Sequence, residues 1–110
     1  MPGLIYLATP YSDPDPAVRL QRFEEVSRVA ALLTQAGMHV FSPISHTHQI
    51  ALAGDLPNDW EFWEAHDRAF LAACEGLIVL RQTGWQESTG VTAELAIARE
   101  MGIMIEYMDP

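Results

Sequence analysis

Four short apolar runs alternate with stretches of helical character, and that alternation confines the chain to few folds. Leu4-Ile5-Tyr6-Leu7-Ala8, closed by Thr9-Pro10, reads as a buried strand. Asp15 followed by Pro16 supplies an N-cap and a first-turn proline; Val26, Val29, Ala30 and Leu33 follow at helical spacing, and Gly37 gives the stop. Met38 to Phe41 form a second strand ending at Ser42-Pro43. Ile44 to Leu56 has weak periodicity and is expected to be loop with one helical turn. Asn58 with Glu61 three residues later predicts a capping box for a helix reaching Cys74. Gly76 precedes the continuous apolar strand Leu77-Ile78-Val79-Leu80. Arg81 to Thr89 is a polar loop, Gly90 to Met101 a helix stopped by Gly102, and Ile103 to Tyr107 a final strand. Repeated strand–helix units predict an α/β fold: a small Rossmann-like or flavodoxin-like parallel sheet of about four strands with helices on both faces. A length of 110 residues leaves room for one such domain, spanning residues 1–110.

Composition narrows the partners. Fifteen acidic residues against six basic give a formal charge of −9, which repels phosphate backbones and argues against binding DNA or RNA. No apolar run approaches the ~20 residues of a membrane span, and the opening MPGLIYLATP does not read as a signal peptide. The single cysteine, Cys74, excludes an internal disulfide. A cytoplasmic protein is expected.

In a parallel sheet of this kind the functional crevice lies at the carboxyl ends of the strands. That directs attention to Thr9-Pro10-Tyr11-Ser12, Ser42-Pro43-Ile44-Ser45-His46, and Arg81 to Gly90. The last segment is the richest. In Ser88-Thr89-Gly90-Val91-Thr92-Ala93-Glu94 a loop passes into a helix whose first N–H groups have no intrahelical partner and could hold an anion, with Ser88 as a further donor. Ser88 or Thr89 could equally be a plain helix cap. Glu94 has only Gly90, Val91, Ile97 and Ala98 at helical spacing, so it lacks an ion-pair partner on its own helix and borders an apolar face. Either it has a chemical task or it is a hydrated carboxylate on the rim. Asp67 repeats the pattern beside Trp63, Phe70 and Leu71. Two carboxylates converging over one crevice suit nucleophile and acid work at an anomeric carbon. His46-Thr47-His48, with His39 and His66, suggests metal ligation, but no third ligand has matching spacing, so no metal is expected. Trp60, Phe62, Trp63 and Phe70 read as core and lid.

Ile5-Tyr6-Leu7-Ala8, the Asp67 helix with Leu71, Cys74 and Gly76, and Ser88-x-Gly90-Val91-x-x-Glu94-Leu95-x-x-Ala98 together resemble the nucleoside 2-deoxyribosyltransferase superfamily. The spacing of Ser88, Gly90 and Glu94 is most similar to the 2'-deoxynucleoside 5'-monophosphate N-glycosidases. Ser42-Pro43-Ile44-x-His46 and Gly84-Trp85-x-x-Ser88 resemble a group of small bacterial and phage proteins of the superfamily. The resemblance runs from Leu4 to Tyr107 and implies cleavage of an N-glycosidic bond, with the base released or transferred and no cofactor. It implies Glu94 as nucleophile at C1', Asp67 as the group that orients the sugar or assists the leaving base, and Tyr6 as the side chain that positions Glu94. From the residues alone Tyr6 could be a packed strand aromatic. Ser88 and the N–H groups near Gly90 would hold a 5'-phosphate, with Thr9, Pro10 and His46 also at the substrate. The related transferases of free nucleosides carry an acid six residues before the nucleophile; Ser88 stands there, which favours a nucleotide. The Gly- and Arg-bearing loop of the monophosphate hydrolases is replaced by Thr9-Pro10-Tyr11-Ser12, so a basic partner for the phosphate must come from elsewhere, with Arg81 and Arg19 as candidates. The resemblance also implies a homo-oligomer, with the helix bearing Trp60 and Trp63 as its interface. A non-catalytic nucleotide-binding or sensing module on the same fold is the alternative.

Overall fold

Every run of apolar residues expected to be a strand is one in the computed structural model, which describes residues 3–110. The order is β1 (Leu4–Ala8), α1 (Pro16–Gln35), β2 (His39–Phe41), α2 (Pro43–Gly54), α3 (Trp60–Ala72), β3 (Gly76–Leu80), α4 (Thr89–Met101) and β4 (Met104–Met108). Among the described residues the strands form one parallel sheet in the order β2-β1-β3-β4. Tyr6 lies opposite Phe41 on one side and Leu77 on the other, which fixes the register of β2, β1 and β3.

Strand parity divides the core. Tyr6, Ala8, Leu77 and Val79 face α3 and α4, where they meet Leu71, Val91, Leu95 and Ala98. Leu7, Ile78 and Leu80 face the opposite way, onto Val26 and Val29 of α1. Helices therefore cover both faces, and β1 and β3, buried on both, carry the unbroken apolar runs that a two-sided parallel strand requires. The chain leaves β1 toward β2 and leaves β3 toward β4, so a switch point lies between the carboxyl ends of β1 and β3. No helix among the described residues is long and apolar enough to cross a membrane.

Two local expectations are corrected. The segment expected to be loop, Ile44 to Leu56, lies mostly within the twelve-residue helix α2. Pro43 opens it at the first turn and Asp55, in the left-handed conformation at φ 54°, closes it. Its periodicity is concealed because polar Thr47 and His48 point inward while Ile50 and Leu52 face solvent, Leu52 being 72% exposed. His48 goes inside because its ring stacks on Phe23 of α1 at 4.1 Å. The Asn58/Glu61 capping box does not form: α3 starts one residue later, with Asp59 at the N-cap position and no side-chain cap. The Asn58 carbonyl instead accepts from Ser12 Oγ at 2.7 Å, tying the loop after β1 to the entry of α3.

Candidate active site

At the switch point the sheet and the first turns of α2, α3 and α4 enclose a cavity of about 380 Å³. Its walls are Thr9, Tyr11 and Ser12 after β1, Ile44 and Thr47 of α2, Asn58 to Glu61, Trp63 and Asp67 at α3, and Glu87 to Gly90 with Glu94 at α4.

Glu94 belongs to the buried stripe of α4, where Val91, Leu95 and Ala98 would otherwise make a continuous apolar contact with the sheet. It is 5% exposed, so the hydrated-rim alternative does not hold. Tyr6, inward by strand parity and fully buried, donates its hydroxyl to Glu94 Oε2 at 2.5 Å. That is the short end of the range for a hydroxyl on a carboxylate. Loss of water is the main cause pushing the Glu94 carboxyl up to about 8; the Tyr6 bond pulls the other way and the charge of Asp67 adds to the rise. Burial, followed by the negative charges of Glu94 and Asp67, holds the Tyr6 phenol protonated far above its ordinary range. Tyr6 is thus a fixed donor, and the proton that can move is on Glu94.

Asp67, on the cavity side of α3, is 7% exposed, and its Oδ1 lies 3.2 Å from Nδ1 of His66. Burial raises its carboxyl, with His66 and then His46 offsetting part of the effect. The fold therefore brings together the three residues Tyr6, Asp67 and Glu94 from β1, α3 and α4.

Ser88 is the N-cap of α4, and its Oγ accepts from Val91 N at 3.1 Å. Capping uses a lone pair and leaves the hydroxyl hydrogen to donate into the cavity. Gly90 has no packing reason to be glycine: a Cβ there would come no closer than 3.8 Å to Trp60 and 3.9 Å to Ser88 Oγ, ordinary contacts. Thr9 is buried and lines the cavity, its hydroxyl accepting from Gln82 Nε2 at 2.8 Å and so linking the ends of β1 and β3.

Four expected substrate contacts lie elsewhere. Pro10 is fully buried behind the cavity lining. His46 is exposed, because in helical α2 it falls off the face shared by Ile44, Thr47 and His48; its ring stacks on His66 at 5.8 Å instead. Neither basic residue expected at a phosphate lines the cavity: Arg81 pairs with Asp109 at 2.9 Å, and Arg19 donates to the Asp13 carbonyl.

The sequence reading did not assign the cavity residues Tyr11, Thr47, Asp59, Trp60, Glu61, Trp63 and Glu87 to the substrate. Tyr11 and Glu87 lie in the post-strand segments that the fold rule marks, whereas Thr47 was hidden with the rest of α2. Tyr11 and buried His48 are hydrogen-bonded, the phenol oxygen 2.6 Å from Nδ1, so His48 and exposed His46 diverge. Among the described residues no group of three or more His, Cys, Asp or Glu side chains converges to hold a metal ion.

Residues 3–109 match the model of the DUF1937 family, a domain of unknown function, and the chain belongs to that family. No curated protein matches it.

Proposed function

We propose that this DUF1937 protein cleaves the N-glycosidic bond of a nucleoside 5'-monophosphate, releasing or transferring the base. One observation carries the reading: Glu94, a carboxylate in the apolar stripe of α4, is held by the Tyr6 hydroxyl and lines a cavity that Asp67 also lines. Once ionised, a form that burial opposes and the Tyr6 donor favours, a carboxylate fixed in this way is a nucleophile for an electron-poor carbon. The carboxylate oxygen bonds to C1' as the C1'–N bond breaks with its electron pair going to the base. Asp67, which lines the same cavity, orients the sugar or assists proton transfer to a neutral base as it leaves. Water then opens the glycosyl ester in hydrolysis, or a second base does so in transfer. The 5'-phosphate would sit at the start of α4, on the N–H groups near Gly90 and the Ser88 hydroxyl.

A second reading, an unphosphorylated nucleoside, is favoured by the charge of the lining. Asp59, Glu61, Asp67, Glu87 and Glu94 line the cavity and no Arg or Lys does. Base release measured over matched nucleosides and monophosphates tests both. Faster turnover of the monophosphates supports the first reading, and faster turnover of the nucleosides supports the second. Tight binding with no base released from any member of the panel would make the protein a nucleotide-binding module instead. In Glu94→Gln, release should fall by about a thousandfold or more while binding survives. Release at the wild-type rate by a folded variant would overturn the mechanism.

A further inference from the structure

We propose that the base bound in this cavity is a cationic nitrogen heterocycle, a pyridinium or an N-alkylated ring, so that the bond cleaved is one to a positively charged nitrogen. The proposal rests on the glycosidase reading and narrows its substrate class. Five carboxyls line the cavity, the buried Glu94 and Asp67 and the exposed Asp59, Glu61 and Glu87, and among the described residues no Arg, Lys or His lines it, although Asp67 also touches His66 at 3.2 Å. The same wall carries two indoles, Trp60 and Trp63, the latter fixed by donation from Nε1 to the Pro57 carbonyl at 2.8 Å. Carboxylates together with indoles are a combination that recognises a delocalised cation, through charge and through the ring quadrupole.

Two further features leave a donor and room in this space. Thr47, 7% exposed, lines the cavity with a hydroxyl that none of the hydrogen bonds among the described residues uses. Gly90 leaves open the volume that a Cβ could occupy without a clash.

The chemistry agrees with the charge. When Glu94 bonds to C1', the electron pair of the C1'–N bond returns to the ring nitrogen and cancels its charge, so the base departs neutral with no proton supplied. Water then cleaves the ester, leaving the sugar hydroxyl, the free carboxylate and one proton. A fixed positive charge in the cavity also favours the ionised form of Glu94, which burial disfavours in the empty protein. The substrate would thereby help to ionise its own nucleophile.

The test compares N1-methylnicotinamide with nicotinamide, nearly the same ring with and without a fixed charge, by calorimetry and by quenching of tryptophan fluorescence. The cation should bind at least about tenfold tighter at low salt, and the gap should shrink as salt is raised. Asp59→Asn with Glu87→Gln, both at exposed positions, should close much of the gap while the thermal melt stays in place. In turnover, nicotinamide mononucleotide should be cleaved with higher kcat/KM than inosine 5'-monophosphate, and nicotinamide riboside with higher kcat/KM than inosine. Equal affinity for the two probes, or inosine turned over faster than the pyridinium riboside, overturns the proposal and leaves the glycosidase reading standing. Tighter binding of the cation with neither ribosides nor 5'-monophosphates cleaved supports the cationic site and removes the glycosidase reading.

Discussion

Glu94 concentrates the tension between stability and chemistry in one side chain. Its carboxyl titrates near 4.5 when unfolded and is pushed up to about 8 in the folded protein, chiefly by burial. The folded state therefore keeps a proton that the unfolded state releases, so stability is full below the unfolded value and falls as pH rises toward 8. Each pH unit in that window is worth up to about 1.4 kcal/mol. Glu94→Gln keeps the shape and cannot ionise, so its melting temperature should be flatter between pH 5 and 8 and should exceed that of the wild type at alkaline pH; pH-resolved thermal melts of both proteins check this. Catalysis has the opposite demand, because only ionised Glu94 attacks, and kcat/KM should rise with pH up to a limb near 8. Tyr6→Phe removes the donor that favours the ionised form, so the limb should move to higher pH and the rate at neutral pH should drop, which a pH–rate profile reads directly. Glu94 was legible in the sequence because no helical neighbour could pair with it. The pairing with Tyr6 came only from the resemblance, since the residues alone do not say which strand face meets α4.

At the scale of elements, the start of α4 separates a structural requirement from a functional one. Ser88 caps the helix, so Ser88→Ala should cost about 0.5–2 kcal/mol in a denaturant titration whatever the ligand. Gly90 is the reverse case. Alanine fits there with ordinary contacts and is the better helix former, so Gly90→Ala should hold or raise stability by up to about 1 kcal/mol. The added methyl lies beside Ser88 Oγ at the cavity, so the same variant should bind ligand more weakly. A stabilised Gly90→Ala that binds every tested nucleotide as well as the wild type would show that nothing approaches the helix start. The boundaries of α1 and α4 could be read in advance because Asp15 with Pro16, Gly37, Ser88 and Gly102 act through local geometry. Helix α2 could not, because its inward face is polar and is satisfied by Phe23 and Tyr11 from distant positions. Asn58 misled for a similar reason: its place in the chain resembles a cap, but a contact with Ser12 decides where α3 begins.

For the whole molecule, the parallel sheet and its two covered faces follow from the apolar runs, while the outer surface of α3 depends on contacts that no local pattern encodes. Phe41 of β2 stacks on Phe70 of α3 at 4.2 Å with rings 2° from parallel, Phe70 meets His66, and His66 meets Trp63, which in turn meets Phe62. Phe62 and Phe70 stay exposed, so an aromatic ladder runs from the edge strand β2 to the entry of α3 with no covering element among the described residues. A second copy of the chain is the partner we propose for it, in keeping with the homo-oligomer that the resemblance implies. A standard interface takes about 800 Å² from each partner, roughly an eighth of the 6145 Å² surface of the chain. Trp63 belongs both to the ladder and to the cavity wall, so association would also brace one side of the site. Phe70 lines no part of the cavity, which makes it the position to change. Phe70→Arg places a charge in the ladder, and sedimentation equilibrium should then show a shift from a dimer or larger species toward monomer. Binding of nucleotide should weaken with it, because the wall bearing Trp63 loses its support. If the wild type is a monomer at all concentrations, the ladder is not an interface between copies. If Phe70→Arg dissociates while ligand affinity is unchanged, the cavity is complete within one chain and the coupling through Trp63 is wrong.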